Sequence, residues 1–152
     1  APAFGGGVEL ALATDFRWST GENVEFHLSQ GKFGVPGGWE GMMRLAEVSS
    51  LSHRKTSFLF LAQEKMTYEE LKQLNIIDKS FSSEIEMQLA LEKWKDTLLN
   101  CCEKLRHDYK KRIYQGTKNL EKFDKLFFKR HFLSKNHKEK IKDFLENKAV
   151  HK

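Results

Sequence analysis

Three consecutive glycines, Gly5-Gly6-Gly7, stand directly ahead of a run of helix-forming residues, Val8 and Leu10 to Ala13, with Glu9 inside it. Consecutive glycines permit backbone angles closed to other residues and let a ligand approach bare amides. The first N–H groups of a helix have no intrahelical acceptor and sit at the positive end of its dipole. An amide here, that of Gly6 foremost, can donate to an oxygen on which charge develops, such as that of a thioester passing into its enolate. Donors preorganised in this way contribute roughly 2.7–4 kcal/mol each to transition-state stability. Glu9 falls within the first helical turn, where a carboxyl group can exchange a proton with the carbon next to a polarised carbonyl. Its plainer role is to complement the helix dipole, worth about 0.3–1 kcal/mol.

The elements that must position these groups are short. Asp15 to Trp18 reads as a helix end passing into a strand, and after a turn at Thr20–Asn23 the alternation of Val24, Phe26 and Leu28 predicts a second strand. A further glycine cluster, Gly34 to Gly41, leads into Met42–Glu47. From about residue 50 the pattern is helical. Phe58, Leu59, Leu61 and Ala62 give one apolar face, and Thr67-Tyr-Glu-Glu70 is a capping box opening the next helix. Ile76 and Ile77 lead into a short extended piece. Met87, Leu91, Trp94, Leu98, Cys101 or Cys102, Leu105 and Tyr109 recur every three or four residues, which predicts one long amphipathic helix. Leu120, Phe123 and Phe127 mark another, and Ile141, Phe144 and Leu145 a final short one.

Four blocks, in this order and at this spacing, resemble the crotonase family, the enoyl-CoA hydratase/isomerase group: GGGVELALATDFR, FHLSQGKFGVPGGWEGMMRL, FLFLAQEKMTYEELKQLNIIDKSF and the tail SKNHKEKIKDFLENK. The resemblance implies an α/β chain, the C-terminal part of a spiral β-α fold, followed by an all-helical C-terminal region. It implies a partial core over 1–48, with the oxyanion-hole loop, first helix and active-site loop, and a helical region over 49–152 for packing and trimerisation. Gly6 would give one of two oxyanion-hole amides, with Gly5 beside the substrate, and Glu9 matches the first of the two catalytic glutamates of hydratases. The terminal helix, with Phe144 and Lys148, matches the part that reaches a neighbouring subunit in homotrimers or paired trimers. Lys148 is the candidate for contact with coenzyme A, which enters as part of the thioester substrate; no permanently bound cofactor is expected. The chain has no initiator Met, so a beginning inside a longer protein is expected, with the other oxyanion amide and most of the CoA-binding loop upstream.

Gln30 departs from the family pattern, standing where hydratases carry their second glutamate. Hydration uses two carboxylates to orient and deprotonate water, and a neutral amide cannot act as a base. The loop GVPGGWEG, with Trp39 and no acid at position 30, is similar to the branch containing ethylmalonyl- and methylmalonyl-CoA decarboxylases. Decarboxylation needs no general base, because loss of CO2 itself generates the enolate. Glu9 could then protonate the enolate, Gln30 could bond the departing carboxylate, and Trp39 could wall the acyl pocket or simply pack. Glu40 replaces the family's usual glycine and either faces the pocket or is solvated. An acyl-CoA-converting enzyme with decarboxylase-like chemistry is therefore expected. The alternatives are an ordinary hydratase/isomerase and a non-catalytic truncated crotonase serving assembly or RNA binding.

Bulk properties agree with a soluble, globular chain. Of 152 residues, 39% are hydrophobic and 31% charged, and no apolar run approaches the ~20 residues that cross a bilayer. The opening residues lack the basic and continuous apolar stretches of a secretion leader. Residues 1–50 carry three basic and six acidic side chains, net −3, whereas the remainder is net +8. A basic C-terminal half suits a polyanion, either the phosphates of CoA or RNA, although a solvated lysine surface accounts for it more simply. Cys101 and Cys102 are adjacent and imply no disulfide framework, which fits a reducing, cytoplasmic setting. None of the six histidines pairs with another His, Cys or acid at metal-ligand spacing, so no metal site is expected; His27 alone approaches the presumed pocket.

Overall fold

The computed structural model describes residues 1–114, 126 and 128–150, with backbone alone at 114, 144 and 147–150. These residues form two compact units, Ala1–Lys93 and Trp94–Lys152.

In the first unit, β1 (Ala3–Phe4) and β3 (Phe26–His27) run parallel, with Ala3 opposite Phe26 and Phe4 opposite His27. Parallel neighbours need a crossover, and α1 (Gly6–Leu12) lies in it, so the glycine loop opens the helix of a β-α-β unit. Strand β4 (Lys65–Met66) joins the other side of β3 antiparallel. A second pair is built from β2 (Trp18–Thr20) and β5 (Lys79–Phe81), which run parallel although some sixty residues separate them in the chain. Arg17 closes this pair. Its Nε donates to the Ile76 carbonyl (2.6 Å) and its Nη1 to that of Thr14 (2.7 Å), while its backbone N–H donates to Asp78 Oδ2 (2.6 Å).

The helices expected after residue 50 are present as α3 (His53–Ala62) and α4 (Tyr68–Gln73), and α2 (Gly41–Val48) precedes them. The Thr67–Glu70 capping box forms in both directions. Strand β5 is the extended piece expected after Ile77; β4 interrupts the helical pattern where no strand was expected. One continuous core, made of Val8, Leu12, Phe26, Leu28, Leu45, Phe60, Met66, Leu71 and Ile76, ties the sheet to α1–α4. Val8 and Leu12 are the apolar stripe of α1, one turn apart, and this anchors the helix whose start carries the glycine loop. Burying such side chains stabilises by roughly 1.5–3 kcal/mol each.

The long helix expected over residues 87–109 is instead two, α5 (Glu84–Leu99) and α6 (Glu103–Tyr114). At the break the Cys101 amide bonds the Leu98 carbonyl three residues back, and Arg106 Nη1 donates to that same carbonyl (2.9 Å), so a side chain satisfies a helix-end group. The second unit also contains a helical turn at 128–131 and α7 (Lys135–Val150), longer than the short terminal helix expected. Buried Asp108 on α6 accepts from Arg130 Nη1 (2.9 and 3.0 Å) and pairs with His131 Nε2 (3.0 Å). The helix expected around Leu120, Phe123 and Phe127 lies outside the described residues. No described helix is long and apolar enough to cross a membrane.

Candidate functional site

The backbone at the glycine loop is one that only glycine adopts without strain. Gly5 caps α1 with φ 46° and ψ −114°, and its N–H donates to the His27 carbonyl of β3 (3.0 Å), which fixes the loop against the sheet. The amides of Val8 and Glu9 take the Gly5 carbonyl as the first acceptor of the helix, which leaves those of Gly6 and Gly7 outside the ladder. A cavity of about 660 Å³ opens beside them, with Gly5, Gly6, Glu9 and Gln30 on its wall.

Glu9 is 3% exposed. Its Oε1 accepts two backbone N–H groups from the second glycine cluster, those of Trp39 (3.0 Å) and Gly41 (3.1 Å). This is why the cluster is glycine-rich here. A Cβ on Gly37 would sit 2.7 Å from Oε1, and one on Gly41 would sit 2.6 Å from Cγ. Two bare amides thus anchor one oxygen of the carboxylate, while Oε2 has no hydrogen-bond partner among the described residues. Glu9 is the one charged side chain on the wall of this cavity among the described residues.

Gln30 opens a 3-10 turn, Gln30–Phe33, that ends at Gly34 with φ 68°. It is 7% exposed, yet neither its Oε1 nor its Nε2 has a hydrogen-bond partner among the described residues. A buried, unpaired amide is uncommon in a native structure. Gln30 lines both the main cavity and a second one of about 330 Å³ bordered by Pro36, Met42 and Phe60.

Trp39 remains 63% exposed, but its ring borders the cavity and closes over the glycine loop: a Cβ added at Gly6 would meet Cζ3 at 3.2 Å. Sequence reasoning left open whether Trp39 packs or walls an acyl pocket; in the fold it lies against the glycine loop and borders the cavity. Glu40 is turned elsewhere. It caps α2 with φ 64°, an angle costing a non-glycine residue about 1 kcal/mol, and its exposed carboxylate pairs with Arg44 Nη2 at 3.3 Å. It lines a separate, smaller cavity with His53 and Met43, not the one that holds Glu9.

His27 also stays off the cavity wall. It stacks on Phe4 with ring centroids 4.3 Å apart and bonds Glu25 (3.0 Å). Lys65 Nζ, with His27 in second place, holds the Glu25 carboxyl below its ordinary range. The Lys148 side chain lies outside the described residues. No cluster of three or more metal-ligating side chains occurs among the described residues. Sequence reasoning missed the amides of Trp39 and Gly41 as partners of Glu9. Their signal was the Gly34–Gly41 cluster, whose purpose shows only once Glu9 lies against it.

The Enoyl-CoA hydratase/isomerase family model matches residues 2–151. No curated protein gave a match. An enoyl-CoA hydratase from Polaromonas sp. JS666 is similar in structure, with TM-score 0.76 and 24% identity over 97% of this chain and 57% of its own. The enoyl-CoA hydratase from Bacillus anthracis gives 0.77 and 19%, over the same shares of the two chains. A proposed enoyl-CoA hydratase from Thermobifida fusca YX, in complex with CoA, gives 0.67 and 17%, over 84% and 49%. At such identities these likenesses speak for the fold, and this chain spans about half to three fifths of each relative. The family model covers nearly the whole chain and agrees with the β-α-β unit and glycine loop found here: the chain belongs to the enoyl-CoA hydratase/isomerase, or crotonase, family.

Proposed function

We propose that this chain supplies part of the active site of an acyl-CoA-converting enzyme in which the Gly6 amide steadies a thioester enolate and Glu9 moves the proton. What supports the reading above all is that Gly6 and the buried Glu9 share one cavity wall, with Oε1 of the carboxylate anchored and Oε2 left unpaired. A second donor to the same oxygen, and the loop that holds CoA, come on this reading from outside residues 1–152, and the assembled protein is a homotrimer or a pair of trimers.

Decarboxylation suits these residues better than hydration. In a malonyl-type thioester the bond between the α-carbon and the carboxylate breaks, its electron pair moves onto the thioester oxygen as CO2 leaves, and the enolate forms against the Gly6 amide. Glu9 then passes a proton to the α-carbon and regains one from solvent. Gln30 holds the carboxylate before it departs. Its neutral amide holds the ionised carboxylate by a hydrogen bond without a positive charge, so the ground state is not stabilised over the transition state in which that charge moves to the thioester oxygen. The second reading is hydration of a 2-enoyl thioester, favoured by the relatives described as hydratases. It lacks a second carboxylate at position 30.

The test uses the full-length protein with malonyl-type and 2-enoyl-CoA thioesters. Glu9→Gln keeps an acceptor for the Trp39 and Gly41 amides but cannot give up a proton, so turnover should fall about 10²–10⁴-fold. Unchanged turnover would end the assignment. Gln30→Glu sets a second carboxylate against the departing one and should slow decarboxylation. A gain in hydration in that variant would move the assignment to the hydratase reading.

A further inference from the structure

We infer that Arg44 is a positioning residue for this site, acting from outside the cavity by holding the Trp39–Gly41 turn in the conformation that Trp39 and Glu9 both require. The inference rests on the role given above to Gly6 and Glu9.

The turn does two things at once. Its amides at 39 and 41 converge on one oxygen of Glu9, and its Trp39 ring lies over Gly6. Both depend on Glu40, the residue between the two amides, which adopts φ 64° and ψ 24° although it carries a side chain. Left to itself, such a residue relaxes to negative φ. That rotation would swing the peptide linking residues 39 and 40, spread the two amides apart and lift the indole from Gly6.

Arg44 opposes this rotation at both ends. Its Nε donates to the Trp39 carbonyl (3.2 Å), the group whose direction φ of Glu40 sets, and its Nη2 donates to the Glu40 carboxylate (3.3 Å). Its own backbone N–H takes the Glu40 carbonyl (2.9 Å) as the first helical bond of α2, so the clasp is tied to the helix that follows. The ion pair alone is worth little at an exposed site. Its contribution is geometric, because a planar guanidinium holds its donors in a fixed fork, whereas an ammonium on a flexible stem imposes no such geometry on two acceptors. Arg44 touches no group that reacts, so it positions and does not catalyse.

Amide hydrogen exchange of the full-length protein, read at residues 39 and 41, tests this without reference to turnover. In Arg44→Ala, exchange there should quicken about tenfold or more while α1 and α3 keep their protection. Arg44→Lys should lose most of the same protection, which keeps the test open if the alanine variant does not fold. In a Glu40→Gly background, where φ 64° needs no restraint, replacing Arg44 should cost far less. Turnover should follow the same pattern, with kcat reduced roughly 10–100-fold and KM much less affected. Unaltered exchange at 39 and 41 in both Arg44 variants overturns the proposal, as does an equal loss in the Glu40→Gly background. If the parent protein converts no acyl-CoA, the proposed activity fails by itself, and exchange still decides what Arg44 does.

Discussion

Gly41→Ala is the sharpest probe of how Glu9 is held, because the added methyl group acts on Glu9 directly. Gly41 opens α2 with negative φ, so alanine suits its backbone and, at a helix position, brings a gain of at most about 1 kcal/mol. Against this stands the contact. The new Cβ would lie 2.6 Å from Glu9 Cγ, 2.8 Å from Oε1 and 3.1 Å from Cδ. Glu9 has little room to retreat, because it is only 3% exposed. Overpacking of this type costs roughly 1–3 kcal/mol, and each hydrogen bond to a charged acceptor that is lost costs about 1.5–3 kcal/mol more. The clash and the lost bond outweigh the helix gain, and a net destabilisation of about 3 kcal/mol is expected, roughly 150-fold in the folding equilibrium. Calorimetry of the full-length protein measures it, with Gly38→Ala as the reference, since a Cβ there meets nothing within 4 Å. Acyl-CoA turnover should fall further than the folded fraction does, because a small displacement of a reacting group can cost about 10²-fold. If Gly41→Ala proves as stable as Gly38→Ala and turnover is intact, the loop amides do not fix Glu9.

Two further outcomes follow from the buried polar groups. Gln30→Leu removes an amide whose two polar atoms are both unpaired, so the melting temperature of the unliganded protein should rise by the equivalent of about 1–3 kcal/mol while thioester turnover drops; a fall in both would show that the amide is satisfied in solution. At Asp108, burial pushes the carboxyl up, but the hydrogen bonds from Arg130 and His131 outweigh it and hold the group below its usual range. Its folded pKa is therefore lower than its unfolded one, so its stabilisation is present above an ordinary Asp pKa of about 3.9 and is lost as pH falls through the folded value. Asp108→Asn should destabilise by about 1–2 kcal/mol at neutral pH, a modest figure because the Arg130 side chain is half exposed, and should flatten the acid limb of a stability–pH curve.

What could be known from the order of residues alone was whatever depends on near neighbours. The glycine triplet at a helix start, Glu9 in the first turn and the Thr67–Glu70 capping box each involve groups within one turn of chain, and all three are present in the fold, with Gly5 as the cap and Gly6 and Gly7 as the first helical residues. Ordered blocks of sequence carried the family as well, because a fold constrains many positions together. Apolar spacing misjudged the region after Glu84, since it stays in phase across Asn100–Cys102 and cannot register that a cysteine amide and the Arg106 side chain end α5 there. Two-residue strands such as β4 carry too short a pattern to be seen at all; Lys65–Met66 becomes a strand because β3 offers it an edge.

The site divides along the same line. Spacing named Gly6 and Glu9, and the family resemblance named Gln30 and Trp39, but tertiary structure alone could say that residues 39 and 41 turn their amides onto a carboxylate thirty positions earlier, that Gln30 is sealed in without partners, and that Glu40 looks outward to Arg44. The physical reason is that hydrogen-bond partnership and burial depend on distance in space. They arise only when the Val8–Leu12 stripe packs into the common core and carries the glycine loop against the second glycine cluster.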